Sequence, residues 1–316
     1  MNDRDISDID RDTNQFETYR PLMFSIAYRM LGSATEAEDI VQEAYLRYQA
    51  TSSAQIVSYK AFLSTVVTRL CLNNLQSAHS QRETYIGPWL PEPVLTETDE
   101  TFAPVQQAEL HESLSIAFLA LLEQLTPLER AVFLLREIFD YDYIEVAEIV
   151  GKEEAACRQM FSRAKKHIAE QRPRFKATPE AHRQLLNQFI QTVNTGDLDG
   201  LMQLLSQDVI MWTDGGGKTR GAALQPLRGR EAVAKFAMAS IRLVPANFSV
   251  EVSEVNGELA IIRREGDRAL VVLSIAVDRG HIAEVHVIGN PDKLNWVSGA
   301  THNVVHDSNG SDEVTL

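Results

Sequence analysis

Five polar side chains between residues 158 and 166 have the types and spacing of a surface that reads DNA. They are Arg158, Gln159, Ser162, Arg163 and Lys166. At 3.6 residues per turn they fall on one side of a single helix. Arginine and glutamine can hydrogen-bond to base edges in the major groove, and lysine suits phosphates. The alternative interpretation is an ordinary helix with a solvated basic face.

The elements that must position this surface are three short helices between residues 126 and 168. Thr126, Pro127 and Glu129 predict a helix start with a capping box. Asp142 predicts the start of a second helix, and Gly151 predicts its end and a tight turn. The side chains expected to face inward are Ile144, Ala147 and Val150 on the second helix and Cys157, Met160, Phe161, Ala164 and Ile168 on the third. This order of elements is typical of a helix-turn-helix.

The charge of the chain is acidic overall and basic only locally. The 316 residues include 30 Lys and Arg against 44 Asp and Glu, a net charge of −14. Seven basic residues from Arg158 to Lys176 stand with a single acidic one, Glu170. Nonspecific DNA affinity comes mainly from neutralising phosphates, so an acidic chain binds DNA weakly by itself. We therefore expect a partner that supplies most of the attraction to DNA.

Composition disfavours several other kinds of chemistry. The two cysteines, Cys71 and Cys157, stand in apolar helical patterns far apart and indicate core positions in a reducing compartment. We predict neither a metal site nor a cofactor. The acidic N-terminus is unlike a signal peptide, and the longest apolar run, Ala269–Val277, is far shorter than the roughly 20 residues of a membrane span. We expect a cytoplasmic protein that does not enter the membrane.

Changes of pattern divide the chain into six segments. We predict a disordered acidic tail (1–13), a helical domain (14–85), an acidic linker with prolines (86–110), the helix-turn-helix domain (111–172), an α+β domain (180–295) and a flexible tail (296–316). Within the α+β domain, helices come first and strands follow at regular spacing. Asn256-Gly257 and Arg279-Gly280 predict hairpin turns, and we expect a curved antiparallel sheet.

Several stretches resemble a known family. TEAEDIVQEAYLRYQ (35–49) resembles the polymerase-binding helix of sigma factor region 2, and YKAFLSTVVTRLCLNNLQSAHSQRE (59–83) resembles its helix that opens and reads the −10 element. The block 126–168 resembles sigma region 4, which reads the −35 element. WLPEP (89–93), DGGGK (214–218) and NPDKL (290–294) resemble signatures of extracytoplasmic-function (ECF) sigma factors with a C-terminal SnoaL-like extension. The resemblance implies two all-α sigma domains followed by an α+β cone domain, SnoaL-like and ketosteroid-isomerase-like.

The resemblance also implies partners and site residues. Core RNA polymerase would supply the missing attraction to promoter DNA. Its docking site would be the acidic-polar patch Asp39, Gln42 and Glu43. The −10 element would be read by Tyr59, Arg69, Asn73, Asn74 and Arg82. Gln76, His79 and Gln81 stand where ECF factors often carry Arg or Lys. Glu153 stands where the recognition helix usually begins with Ser or Thr, and its charge would repel phosphate if it faced DNA.

The C-terminal motifs suggest a regulatory contact. The residues assigned to it are Asp214, Gly215, Gly216, Gly217, Lys218, Asn290, Pro291 and Lys293. The three glycines allow close approach of another backbone, and Asp214 and Lys218 are charged groups able to pin it. A phosphate-binding loop is excluded by spacing, because its first glycine would fall at Trp212. The bland interpretation is a pair of turns.

Rival interpretations of the C-terminal domain remain open. One is an enzyme fused to a sigma factor, with Trp212, Asp214, His281 and His286 lining or rimming an acid–base pocket. Another is a pocket that senses a small-molecule ligand. We predict no catalysis. A third alternative for the whole chain is a helix-turn-helix regulator that binds DNA alone, as a dimer.

Overall fold

The computed structural model of the protein describes residues 3–52, 56–82, 84–96, 113–171, 177–241 and 247–298. The first helical module contains α1 (Asp3–Leu31), α2 (Ala34–Gln49) and α3 (Tyr59–Arg82). The expectation of a disordered tail is wrong for residues 3–13, which form the start of α1.

The second helical module contains α4 (Ile116–Leu122), α5 (Pro127–Phe133), a π-helical turn (Leu134–Ile138), α6 (Tyr143–Val150) and α7 (Glu154–Gln171). Both predicted starts, at Thr126 and Asp142, form capping boxes. Gly151 ends α6 with φ 66°. In this left-handed region glycine avoids the steric cost of a side chain.

The predicted inward face of α6 is wrong at one position. Ile144 is 60% exposed, whereas Val146 and Ile149 are buried. A helix of eight residues with apolar side chains on most sides fits more than one stripe of three- and four-residue steps. Packing against α3 and α7 therefore selected the stripe.

The C-terminal domain combines three helices with a six-stranded sheet. Its elements are α8 (Pro179–Thr195), α9 (Leu198–Leu204), β1 (Leu205–Asp214), β2 (Leu227–Arg228), α10 (Arg230–Ser240), β3 (Ser249–Val255), β4 (Glu258–Glu265), β5 (Arg268–Asp278) and β6 (His281–Ile288). The strand order is β2-β1-β6-β5-β4-β3. The expected hairpins β3–β4 and β5–β6 form, but β1 pairs with β6 in parallel, so the sheet is not wholly antiparallel. The helix and hairpins between β1 and β6 make this parallel pairing possible.

Three apolar cores hold the molecule together. The first is shared by both helical modules, from Phe16 to Ile168. The second lies between the concave face of the sheet and helices α8 and α10. The third joins the outer face of the sheet to Leu90 and Ile116, which belong to the segments before it. The C-terminal domain is therefore packed onto the helical modules and does not hang from them by a tether alone.

The described parts of the predicted linker and of the predicted flexible tail pack against the rest of the molecule. We call residues 84–96 the arm. Leu90 and Val94 of the arm are each 1% exposed, and Leu95 forms a β-bridge with Val255. A short 3-10 turn (Pro291–Lys293) is followed by a second one (Asn295–Val297). The second turn includes residues 296 and 297, so the prediction of a flexible tail from residue 296 is wrong at its start. The rest of the predicted linker, 97–110, and of the tail, 299–316, lies outside the described residues.

Within the described residues, no helix is both long enough and apolar enough to span a bilayer.

Candidate functional site

The predicted DNA-reading face of α7 is open. Arg158, Gln159, Ser162, Arg163 and Lys166 are all exposed. The opposite face packs inward as expected, with the buried side chains Cys157, Met160, Ala164 and Ile168. The helix is therefore amphipathic in the predicted phase.

The two arginines of α7 are held in place by neighbouring acids and an aromatic ring. The Arg158 Nε donates to Glu154 Oε1 at 3.0 Å, and its guanidinium lies 4.2 Å from the centroid of the Tyr143 ring. Arg163 lies 3.4 Å from Glu129 Oε1. Exposed ion pairs of this kind contribute little, typically about 0.2–1 kcal/mol. These arginines can therefore exchange their carboxylate partners for DNA at low cost.

The predicted −10 helix, α3, is in a different state, because the second module covers part of it. Arg69 Nε donates to the carbonyl of Ile149 and Nη2 to that of Glu148, both at 3.0 Å. These carbonyls lie in the last turn of α6, where a cation satisfies free acceptors and the helix dipole. Arg69 stays exposed, but these two hydrogen bonds engage its guanidinium in this arrangement of the domains, and its contact with the −10 element stays a prediction.

A buried tyrosine completes this contact. Tyr141 is 1% exposed and its hydroxyl lies 2.6 Å from Ser64 Oγ of α3. Lys60 Nζ lies 4.6 Å from the centroid of the same ring. Burial raises the pKa of Tyr141, so its hydroxyl stays protonated and available for the hydrogen bond. We call the contacts of Lys60, Ser64 and Arg69 with Tyr141, Glu148 and Ile149 the seam.

The other −10 candidates are divided by the structure. Asn73 is exposed, and Asn74 is half-buried. Tyr59 is half-buried, and its ring packs edge-on against Tyr48 with centroids 6.1 Å apart. The side chain of Arg82 lies outside the described residues. Asn73, like Arg69, is therefore exposed in this arrangement of the domains.

The proposed polymerase-binding patch on α2 is exposed on all three side chains, Asp39, Gln42 and Glu43. Glu43 is paired with Arg47 at 3.0 Å, one turn further on. Leu46 lies on the same side of the helix and is 60% exposed. Sequence reasoning missed this leucine, although its i, i+3 and i+4 spacing from the patch was a signal for it.

Asp214 is the centre of the contact between the C-terminal domain and the arm. Its carboxylate is 1% exposed. It accepts hydrogen bonds from the backbone N–H of Leu90 at 2.8 Å, Lys293 Nζ at 2.7 Å and the Tyr85 hydroxyl at 2.5 Å. Asn290 Nδ2 donates to the same Tyr85 hydroxyl at 2.9 Å. We call this five-residue cluster the latch.

Lys293 binds the arm from the other side of the carboxylate. Its ammonium donates to the Leu90 carbonyl at 2.5 Å and lies 4.0 Å from the centroid of the Trp89 ring. The WLPEP, DGGGK and NPDKL motifs therefore meet at one point. Lys218 pairs with the exposed Asp292 of its own domain. The buried partner of Asp214 is Lys293.

The glycines of DGGGK permit this close approach. A Cβ on Gly216 (φ 56°) would lie 2.4 Å from Asn290 Nδ2, and one on Gly217 (φ 72°) would lie 2.8 Å from Ile86 Cδ1. Both distances are shorter than real Cβ contacts, and both φ angles disfavour other residues. A Cβ on Gly215 would lie 2.6 Å from the Cβ of Ala222, so this glycine allows the close packing within the turn itself. Pro291 starts the 3-10 turn that carries Lys293.

Asn256 connects the C-terminal domain to both helical modules and to the arm. Asn256 is fully buried at the β3–β4 turn. Its Nδ2 donates to the Tyr28 hydroxyl of α1 at 2.6 Å and to the Leu114 carbonyl of the second module at 2.9 Å. Its Oδ1 accepts from the backbone N–H of Val94 in the arm at 3.0 Å. The sequence identified Asn256 only as a turn residue, for which its φ of 55° is suited.

A cavity of about 350 Å³ lies inside the cone of the C-terminal domain. Asp214 lines it, but Trp212, His281 and His286 do not. His286 is buried elsewhere, stacked on Trp212 with ring centroids 5.0 Å apart, and His281 is exposed. Burial lowers the pKa of His286 to about 4. The four residues of the enzyme hypothesis are therefore not brought together in one pocket.

Comparison with known proteins agrees with this architecture. The family Sigma-70 region 2 matches residues 15–81, Sigma-70 region 4 matches 115–168 and the SnoaL-like domain matches 186–291. The chain is 37% identical over 293 residues to the ECF RNA polymerase sigma factor SigJ of Mycobacterium tuberculosis (strain ATCC 25618 / H37Rv), which covers 90% of this chain and 93% of that protein. The chain belongs to the ECF RNA polymerase sigma factors.

One further relative and one solved structure agree with this assignment. This ECF sigma factor is 30% identical over 281 residues to the probable ECF RNA polymerase sigma factor SigI of M. tuberculosis (strain CDC 1551 / Oshkosh), covering 88% of this chain and 93% of the relative. The crystal structure of M. tuberculosis SigJ superposes with a TM-score of 0.71 at 33% identity, over 92% of this chain and all of that one. The expected fold of two sigma modules and a SnoaL-like domain is confirmed. The relatives that match along the length of this ECF sigma factor are sigma factors and not enzymes.

Several of the residues that sequence reasoning missed in this ECF sigma factor have partners that are distant in the chain. Tyr141, Asn256 and Trp296 all join separate domains. Trp296 lies 5.8 Å from Phe24 between ring centroids and donates to Thr35 Oγ1 at 3.3 Å. A tryptophan in a short polar segment was the available signal for Trp296, and no local pattern marked the other two as interdomain residues.

Proposed function

We propose that this ECF sigma factor binds core RNA polymerase through α2, reads the −35 element with α7 and reads the −10 element with α3. It is held inactive in the arrangement described above, in which the two helical modules meet at the seam and which we call closed. The C-terminal domain regulates it by holding the arm through the latch. The observation that carries the proposal is the seam, in which Arg69 of α3 is bound to the end of α6.

The geometry of promoter DNA supports an inactive closed state. Elements centred about 35 and about 10 base pairs before a start site lie roughly 80 Å apart along B-form DNA, at about 3.4 Å per base pair. In the closed arrangement the two modules share one apolar core and meet directly at the seam. They cannot reach both elements at once without separating. Separation of the modules therefore has to precede, or accompany, promoter binding.

The latch supports a regulatory role of the C-terminal domain. Asp214 and Lys293 are 0% and 8% exposed in their side chains. Such a pair is costly to break, because each charge left alone in the interior lacks compensation. The arm is also bound to the first module, where Glu92 accepts from Ser33 Oγ at 2.9 Å and from the N–H of Thr35 at 3.0 Å. Through the arm, the C-terminal domain is connected to the helices that carry both the polymerase-binding patch and the −10 surface.

Core binding is tested by charge reversal on α2. We expect Asp39→Lys with Glu43→Lys to weaken binding to core polymerase and to reduce run-off transcription. The matched control is Asp199→Lys with Glu231→Lys, which makes the same change of charge at exposed positions of α9 and α10. Equal transcription by both double variants in a titration of core enzyme would remove α2 as the docking site.

The hypothesis of a regulator that binds DNA alone is separated from this proposal by a gel shift. We expect promoter DNA to be shifted by the protein with core polymerase and not by the protein alone, because the chain carries a net charge of −14. A specific shift without core enzyme would favour the stand-alone regulator.

A further inference from the structure

The cavity of the C-terminal domain has the size and lining of a ligand site. Its volume of about 350 Å³ lies within the roughly 300–1,000 Å³ range of small-molecule pockets. Its apolar lining includes Phe189, Val193, Met211, Phe236 and Leu273. Helices α8 and α10 and the concave face of the sheet provide these side chains, so the apolar part of a ligand would be enclosed by rigid elements.

The charge of the lining is strongly one-sided. Among the described residues, four cations line the cavity, Lys218, Arg220, Arg263 and Arg268, against one carboxylate, Asp214. That carboxylate already accepts three hydrogen bonds in the latch. The pocket therefore offers positive charge that its own lining does not neutralise.

Arg263 is the most informative of these cations. It is largely buried on β4, beside Ile261 on the cavity face, and its guanidinium lies 6.0 Å from the Phe248 ring centroid. Within the described parts of the chain, no carboxylate lies within 4 Å of its nitrogen atoms. Burial lowers the pKa of Arg263, which reflects the cost of a charge without a counter-ion. An anion placed beside it would recover that cost.

We propose that this pocket binds an amphiphilic monoanion, with its carboxylate at Arg263 and Arg268 and its apolar chain or ring against Phe189, Met211 and Phe236. We further infer that this ligand stabilises the closed arrangement, an effect that rests on the proposed regulatory function of the latch.

The sign follows from what forms the wall of the cavity. Asp214 of the latch lines it, together with Gly289, Pro291 and Leu294 from the segment that carries Asn290 and Lys293. Leu294 also packs in the core that contains Leu90 of the arm. A ligand shifts an equilibrium toward the state that it binds better. Since the complete wall exists in the closed arrangement, occupancy favours closure and lowers transcription.

Binding is tested on the full-length protein with decanoate as the probe and decan-1-ol as its uncharged match, by isothermal titration calorimetry. We expect decanoate to bind and decan-1-ol to bind at least about tenfold more weakly, since a charge-assisted hydrogen bond is lost. Arg263→Gln should weaken decanoate by a similar factor, whereas Arg228→Gln, an exposed arginine on β2 outside the cavity, should not. Ser240→Trp, which places a ring at the cavity wall, should abolish binding.

Two results would overturn the binding proposal. One is equal affinity for decanoate and decan-1-ol in the wild-type protein. The other is unchanged decanoate affinity in both Arg263→Gln and Ser240→Trp, which would locate the probe on another surface.

Coupling to the latch is tested by hydrogen exchange and transcription. Saturating decanoate should slow amide exchange in the arm, above all at Leu90, and should reduce run-off transcription several-fold. Arg263→Gln protein with the same polymerase controls for effects of decanoate on the core enzyme. Faster arm exchange or higher transcription with decanoate would refute the stated sign. Failure of the proposed sigma function would show separately, as loss of the α2 charge-reversal effect in assays without decanoate.

Discussion

The two helices that we propose read DNA in this ECF sigma factor are presented in opposite ways. Helix α7 exposes all five of its candidate DNA contacts, and its arginines make only surface ion pairs. Helix α3 lies against the second module, with Arg69 and Ser64 bound in the seam. Both helices sit in modules of known type. The difference between them is therefore one of domain arrangement and not of local structure.

Under the proposed function, this contrast locates the control at the covered helix. A surface that is already open needs no rearrangement before it meets DNA, whereas a covered one requires the modules to separate. The C-terminal domain reaches the arm at Leu90 and the first module at Thr35, through the latch and Trp296. These contacts connect it to the first module, which carries the covered helix, and Asn256 connects it to the second. The following changes should alter the difference between the two helices, in decreasing order of effect.

The largest change is expected from Asp214→Asn. The substitution leaves the buried Lys293 ammonium without its counter-charge, and breaking a buried pair in this way costs about 3–5 kcal/mol. We expect rapid amide exchange in the arm and a large change in transcription. Asp292→Asn, which removes the exposed partner of Lys218, should cost at most about 1 kcal/mol and serves as the control. Equal protection of the arm in both variants would show that the latch does not hold the closed state.

The seam should respond to Tyr141→Phe. Loss of the hydroxyl leaves the buried Ser64 Oγ without this partner, at a cost of about 1–3 kcal/mol. We expect faster amide exchange at 148–150 and an increase in transcription, with α7 unaffected. The double variant Ser64→Ala with Tyr141→Phe should recover much of the loss, because no polar group is left unsatisfied. A double variant as open as the single one would argue against this hydrogen bond as the cause.

Substitutions on α7, the open helix, should change which promoter sequences are preferred and should leave the exposure of the helix unchanged. Arg158→Ala should cost about 1–3 kcal/mol at one base position of the −35 element, whereas Lys166→Ala should weaken binding evenly across sequences. Transcription from a set of single-base promoter variants with wild-type and substituted holoenzyme measures both effects. Identical promoter preferences in wild type and Arg158→Ala would show that Arg158 does not read a base.

The smallest effect is expected from a change of pH that acts on His286 and Glu284, two neighbouring side chains of β6. Burial lowers the pKa of His286 to about 4 and raises that of Glu284 to about 7, and the two side chains lie 3.4 Å apart. The depressed histidine pKa makes stability fall as pH drops from 6.5 toward 4. The raised glutamate pKa makes stability fall as pH rises from 4.5 toward 7. The two slopes, each at most about 1.4 kcal/mol per pH unit, oppose each other in the wild type.

Glu284→Gln leaves only the histidine slope. We therefore expect its Tm to drop more between pH 6.5 and pH 5 than that of the wild type. Parallel Tm profiles for the two proteins across this range would contradict the assignment of opposing slopes to this pair.

Local features were predicted well because their causes lie within a few residues. The capping boxes at Thr126 and Asp142 and the helix end at Gly151 depend on contacts three or four residues away. The division of α7 into a polar and an apolar face followed from helical periodicity over its 18 residues. The stripe of the shorter α6 was wrong at Ile144, because eight apolar-rich residues carry too little periodic information to choose a face.

The sequence singled out segments of the latch but not the pairs of residues within it. It marked DGGGK and NPDKL, but it did not show that Asp214 pairs with Lys293 whereas Lys218 pairs with Asp292. Tyr85 and Leu90, which also bind Asp214, were not predicted. Only the path of the chain brings Lys293, 79 residues away, to the buried carboxylate, while Lys218 remains on the surface.

The sequence alone determined the modules, their order, the helix ends and the polar face of α7, since each arises from short-range hydrogen bonding or from the period of apolar residues. The tertiary structure decided which surfaces are available. Arg69 meets the end of α6 across 80 residues, and Asn256 meets Tyr28 across 228. Contacts at such separations depend on how whole domains pack, and no local pattern records them.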